Sequence, residues 1–359
     1  MAMSEPFMPR RVLVTGGAGF IGSALVDALL AGHAGGVLSG FGSGAPASAP
    51  ALERLVVLDA LTYAGRRENL DGAAADPRFT FVHGDVCDRP LVDRLFAEHA
   101  FDAVAHLAAE SHVDRSIADG APFVRTNIVG TFTLLDAARA AWAADSPAPR
   151  RFLYVSSDEV YGSLGPDGAF DESSRYAPSS PYAASKASGD MLSRAYFVTH
   201  GVPVVVTHSS NNYGPRQTPE KLIPLCTARA RAGDPLPLYG DGRHVRQWLH
   251  VDDHARALAL ALARGRPGET YDFGGPSELA NRDTVALIAD AVDTALGRPA
   301  GTSRRLVTPV ADRPGHDFRY AIDSSKARAA LRWEPRIPFD QGLDPAVRWY
   351  LAHPGWLRC

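Results

Sequence analysis

At 359 residues the chain is long enough to bury a large core, and one compact body with two lobes is expected. Its 37 Lys+Arg against 40 Asp+Glu leave a formal net charge of -3, which excludes a global basic field that would recruit nucleic acid or an anionic membrane. Three widely separated cysteines, Cys87, Cys226 and Cys359, fit neither a disulfide framework nor a CxxC metal site, so no metal and a cytoplasmic setting are expected. No stretch approaches the ~20 apolar residues of a membrane span, and residues 1–10 lack the apolar core of a signal peptide.

Short apolar runs at 12–15, 55–59, 79–83, 103–107, 152–156 and 204–208 predict buried parallel strands. Residues 24–31, 90–99, 128–141 and 185–199 have helical length and composition. The alternation predicts an α/β fold, a doubly wound Rossmann-type parallel sheet. Between the first helix and second strand, 33–51 is rich in Gly, Ala, Ser and Pro and reads as a flexible insertion. Residues 1–210 are expected to form the dinucleotide-binding domain with the catalytic residues. Residues 211–359, punctuated by Pro and Gly, are expected to form a smaller substrate-binding lobe with some return to the core sheet.

The segment R-V-L-V-T-G-G-A-G-F-I-G (11–22) joins the first strand to the first helix through Gly16, Gly19 and Gly22. Glycines there allow close backbone approach, and the free N–H groups and dipole of the helix can hold a pyrophosphate. Asp59, ending the second strand, can accept hydrogen bonds from an adenosine ribose and would repel a 2'-phosphate, which favours NAD over NADP. Asp85, after the third strand, is placed to contact the adenine edge.

V-S-S-D-E-V-Y-G (155–162) and P-Y-A-A-S-K (181–186) bring together a hydroxyl, two adjacent carboxylates, a phenol and an ammonium: Ser157, Asp158, Glu159, Tyr182 and Lys186. Tyr182 and Lys186 stand four apart, on one helix face, so the ammonium is expected beside the phenol, favouring its ionised form. An Asp–Glu pair suits chemistry in which one carboxyl is an acid and the other a base.

Together with L-T-Y-A-G (61–65), H-L-A-A-E-S-H-V-D-R-S (106–116), S-N-N-Y-G-P (210–215), P-E-K-L-I-P (219–224), V-D-D-H-A-R-A-L (251–258) and D-R-P-G-H-D (312–317), these blocks make the chain resemble extended short-chain dehydrogenases/reductases, and among them the dTDP-glucose 4,6-dehydratases. The resemblance covers nearly the whole chain apart from its N-terminal residues and the insertion. It implies a redox-neutral dehydration using tightly bound NAD that is regenerated each turnover. Tyr182 would take the C4 hydroxyl proton, Glu159 would take the C5 proton and Asp158 would protonate the departing C6 hydroxyl. Ser157, where the subfamily usually has threonine, would hydrogen-bond the C4 oxygen.

The resemblance further implies cofactor contacts at Phe20, Ile21, Thr62, Val86, Leu107, Ala109, Thr126 and Asn212, with Tyr182 and Lys186 at the nicotinamide ribose. Ser111 and Asn211 would touch the sugar or its phosphates. Lys221, Arg246, Arg313 and His316 would serve the diphosphate, Pro237, Tyr239 and Asn281 would frame the nucleoside, and Leu222 would also contact the substrate. Glu110 and His112 receive no chemical step, and Tyr161 reads as packing. Arg216, Gln217 and Thr218 stand where the family commonly carries an aromatic, and Gln247 replaces the usual aspartate after Arg246. These departures are expected to make the nucleotide side more cationic. A nucleotide-sugar epimerase, a dehydratase of another sugar such as UDP-glucose or UDP-GlcNAc, and a non-catalytic NAD(H)-binding sensor stay open as alternatives. The family resemblance also implies a homodimer through the helices after Ile128 and Ser185.

Overall fold

The computed structural model describes residues 6–32, 52–142 and 149–357. The insertion read at 33–51, and Cys359, lie outside the described residues. Strands β1 (Arg11–Thr15), β2 (Arg54–Asp59), β3 (Phe79–His83), β4 (Ala103–His106), β5 (Arg151–Val155) and β6 (Val204–Ser209) match the six apolar runs to within a residue or so at each end. Val and Leu are their commonest residues because both faces of a parallel sheet are covered by helices. Alternation sorts them. Val12 and Val14 of β1 enter one core beside helix α1 (Phe20–Gly32), while Leu13 enters the other, beneath the Arg89–His99, Thr131–Ala141 and Pro181–His200 helices.

Continuing along the chain are β7 (Asn211–Tyr213), β8 (Leu236–Tyr239), β9 (Val245–His250), β10 (Thr270–Phe273), β11 (Ser277–Ala280) and β12 (Val307–Val310). β10 was not singled out in the sequence. It pairs with β6 and completes a seven-stranded parallel sheet in the order β10-β6-β5-β4-β1-β2-β3. Order reverses between β1 and β4, the switch point where α/β sheets open a crevice at their carboxyl ends. β11, β9 and β7 make a three-stranded sheet and β12 pairs with β8. A third core around Ile288, Trp248 and Tyr350 packs these with the Leu222–Ala232, Asn281–Leu296 and Phe339–Ala352 helices. The helix read at 128–141 begins earlier, as a wider π turn over Val124–Gly130 that continues into the α-helix, a distortion often found at functional sites.

Candidate active site

One cavity of about 310 Å³ opens at the switch point. Its walls come from the loop after β1, the ends of β2, β4 and β5, the Pro181–His200 helix, and the segment after β6. Gly16 has φ +70°, and a Cβ on Gly22 would lie 2.1 Å from the Gly16 carbonyl oxygen, so only glycine lets this turn close onto α1. No acidic residue occupies the first turn of α1, leaving its N–H groups to an anion. Asp59 is buried and accepts from the backbone N–H of Ala18 (2.9 Å) and Leu61 (2.8 Å), which fixes one oxygen against the glycine loop and the other against the segment after β2. This cradle fits a dinucleotide. Phe20, Ile21, Thr62, Asp85, Val86, Leu107, Ala109, Thr126 and Asn212 all line the same space, as their expected contacts require. Asp85 is also paired with Arg125 at 2.9 Å.

At the other end of the cavity, β5 delivers Ser157 to the N-cap of the short turn Asp158–Tyr161, where its Oγ accepts from the Glu159 N–H at 3.3 Å and donates to Asp158 Oδ1 at 3.3 Å. Asp158 is buried and its Oδ2 has no partner. Burial, followed by the charge of Glu159, pushes its pKa up to about 8. Glu159 is also raised by burial, but Lys221, Arg246 and Arg313 pull against that rise. Adjacent carboxyls thus face different surroundings: one keeps its proton near neutrality, the other looks toward three cations.

Tyr182 lines the cavity with Ser157, whose side chain acts to lower the pKa of its phenol. Lys186 is on the same face of its helix, yet its ammonium donates to the Val155 carbonyl at 2.7 Å and lies over the Tyr154 ring at 4.5 Å. The expected lowering of the phenol by Lys186 is therefore corrected: burial and the negative charge of Glu159 hold Tyr182 above its usual range. Burial lowers Lys186 to about 8, with Asp190 opposing. Asp190 continues the Tyr182, Lys186 spacing by another four residues, and that periodicity was the available signal for it.

Asp190 leads to a network absent from the sequence reading. His208, fully buried, lies 3.2 Å from Asp190 and 2.8 Å from Asp272, and Tyr161 donates to Asp272 at 3.1 Å. Tyr161 lies outside the cavity wall, in keeping with a packing residue that also satisfies a buried acid.

Ser111, Asn211 and Lys221 line the cavity; Lys221 donates to the Ser111 carbonyl at 3.0 Å, with Leu222 opening the next helix. Arg246, Arg313, Pro237, Tyr239, Asn281 and His316 lie outside its wall. Arg313 stands 5.1 Å over Tyr239, and His316 meets Tyr239 edge-on at 6.1 Å. Buried atoms without partners collect here: Asn281 Oδ1, Arg313 Nε and His316 Nε2. His244, Asp312 and His316 bring ligand-type atoms within 4.8 Å, but the two imidazoles stack at 3.7 Å and 17°, holding their lone pairs in nearly parallel planes that one ion cannot share.

Two departures are placed differently from expectation. Arg216 turns away from the cavity to Asp27 at 2.8 Å, and Gln247 clasps the backbone of Ile322, accepting at 3.1 Å and donating at 3.4 Å. Neither adds free positive charge to the cavity, whereas Gln217 and Thr218 do line it.

The family profile described as GDP-mannose 4,6 dehydratase matches residues 47–345. The dTDP-glucose 4,6-dehydratase of Neisseria meningitidis serogroup B is 49% identical over 354 residues, spanning 97% of this chain and 95% of that protein. The chain belongs to the dTDP-glucose 4,6-dehydratase family. A dTDP-glucose 4,6-dehydratase from Streptomyces venezuelae, solved with NAD bound, superposes with a TM-score of 0.85 at 48% identity, covering 96% of this chain and 98% of that one. A UDP-glucose 4-epimerase from Thermotoga maritima superposes at 0.79 with 27% identity, covering 96% and 99%. Fold is shared with both, but sequence sides with the dehydratases. No helix among the described residues is long and apolar enough to cross a membrane.

Proposed function

We infer that this protein converts dTDP-glucose to its 4-keto-6-deoxy product by loss of water. The observation that carries this reading is the unequal pair at the end of β5: Asp158, pushed up to about 8, can give a proton at neutral pH, while Glu159 among three cations can take one. An epimerase has no use for such a pair. Ser157, which lines the cavity with Tyr182, would orient the C4 hydroxyl, and Tyr182 would receive its proton as a phenolate, a form that the positive charge of bound NAD would favour. NAD, when bound, supplies a cationic nicotinamide that takes the C4 hydride and returns it at C6. Between those two hydride transfers Glu159 would remove the C5 proton and Asp158 would protonate the leaving C6 hydroxyl, and a proton given back to C5 as hydride reaches C6 would complete the product. Lys221, Arg246, Arg313 and His316 would hold the diphosphate, and Pro237, Tyr239 and Asn281 would frame the nucleoside.

The reading includes a division into residues 1–210, which bind cofactor and carry the chemistry, and 211–359, which mainly bind substrate; the unpartnered polar atoms of Asn281, Arg313 and His316 support it. It also includes a cytoplasmic homodimer. Val124, Val129, Phe132, Met191 and Val198 are large apolar side chains exposed on the helices named for the dimer, supporting that contact. Mass spectrometry and NMR of products from dTDP-glucose and UDP-glucose, each without added reductant, provide the test. Loss of one water with a new C6 methyl is expected from dTDP-glucose. An unchanged mass with inverted C4 would replace the reading by epimerisation.

A further inference from the structure

Arg216 is the one residue of the substrate-side turn that reaches the glycine-loop side of the cavity through an ion pair among the described residues. Its Nη1 donates to Asp27 Oδ2 on α1 at 2.8 Å and to the Asn69 carbonyl at 3.2 Å. Asn69 is itself buried and donates from Nδ2 to the Ala18 carbonyl at 2.7 Å; the Ala18 N–H in turn holds Asp59. On the opposite side, Gln217 donates from its side chain to the Asn212 carbonyl at 2.9 Å and from its backbone to the Tyr350 hydroxyl at 3.0 Å. One side chain therefore joins two walls of the cavity, the glycine loop with Asp59 and the Asn212–Thr218 segment. Arg216 does this from a left-handed backbone, φ +70°, which a residue with a Cβ seldom adopts.

We propose that the Arg216–Asp27 pair is a staple between the two cavity walls that sets how slowly NAD leaves. Arg216 is a positioning residue: it faces away from the cavity and acts through Asn69, Ala18 and the Gln217 turn. The proposal rests on the cavity being the NAD site. Because both side chains are about a third exposed or more, 33% and 40%, the pair is partly screened, and its effect is modest. Opening the walls without it should speed NAD loss by up to about fivefold.

The test is the rate at which labelled NAD leaves the purified, loaded enzyme when unlabelled NAD is in excess, measured for wild type, Arg216→Ala, Asp27→Ala and the double variant. Each single change is expected to speed loss by about threefold to fivefold, and the double variant to be no faster than the faster single. Turnover in saturating NAD and thermal stability should stay near wild type. Raising salt should speed loss from the wild type more than from Arg216→Ala. Should the singles prove poorly folded, the exchanged pair, Arg216→Asp with Asp27→Arg, is expected to restore slow loss. Unchanged rates in both singles, or effects that multiply in the double, would overturn the staple. A wild type that holds no NAD in this assay would instead remove the cavity reading on which the staple depends.

Discussion

The two ends of the cavity are built by different means. Around the glycine loop, recognition is made by backbone: Gly16 and Gly22 shape the turn, α1 supplies N–H groups, and Asp59 is held by the backbone N–H groups of Ala18 and Leu61. Around Asp158 and Glu159, recognition and chemistry are made by side-chain charge gathered from Lys221, Arg246 and Arg313, tens of residues apart in the chain. A backbone site is stiff and local, so it breaks sterically. A charge site is assembled by the fold and breaks by titration or by removal of one partner.

The largest effect is expected at the charge end. Glu159→Gln removes the C5 base while keeping shape and cofactor contacts, and turnover should fall by about 10²–10⁴-fold. Bound NAD should remain, and deuterium from solvent should no longer enter C5. Undiminished turnover would take Glu159 out of the mechanism. At the backbone end, Gly22→Ala puts a methyl 2.1 Å from the Gly16 oxygen, so the loop must move. Loss of bound NAD and a stability cost of about 1–3 kcal/mol are expected, read by NAD content and thermal melting. The two variants separate the ends: one keeps NAD without chemistry, the other loses NAD first.

Titration sharpens the contrast. Asp158 must be protonated to act as an acid, so activity should fall as pH rises through about 8. Its folded pKa is raised, so its contribution to stability is fully present below the unfolded value near 3.8 and is lost as pH climbs from there through about 8. Asp158→Asn should therefore abolish the alkaline limb along with most activity, yet raise the melting temperature at pH 9 relative to wild type. A variant that melts lower than wild type at pH 9 would contradict the buried, uncompensated carboxyl.

The backbone end was largely legible in the sequence because glycines, an apolar strand and a strand-end carboxylate sit within one local pattern; all the expected cofactor residues line the cavity. So were Ser157, Asp158, Glu159, Tyr182 and Lys186. What spacing could not show was where long side chains point. Lys186 and Tyr182 do share a helix face, but Lys186 finds the Val155 carbonyl, and Arg216 finds Asp27 on a helix nearly 190 residues earlier. Asp190, His208 and Asp272 come from three segments whose meeting depends on β10 returning beside β6, a long-range pairing that periodicity does not report.

That network yields the smallest expected effect. Tyr161→Phe removes one hydroxyl from the buried cluster while keeping its ring against Phe170, 5.2 Å away. His208 still serves Asp272 at 2.8 Å, so the acid is not orphaned. A stability loss of about 1 kcal/mol by denaturant unfolding is expected, with turnover and its pH profile unmoved. If the alkaline limb shifted instead, Tyr161 would be coupled to Asp158 through His208, whose positive charge, raised to about 10 by Asp190 and Asp272 against burial, already acts to lower Asp158. The line between a packing residue and the charge-built end would then have to be drawn one layer deeper into the core.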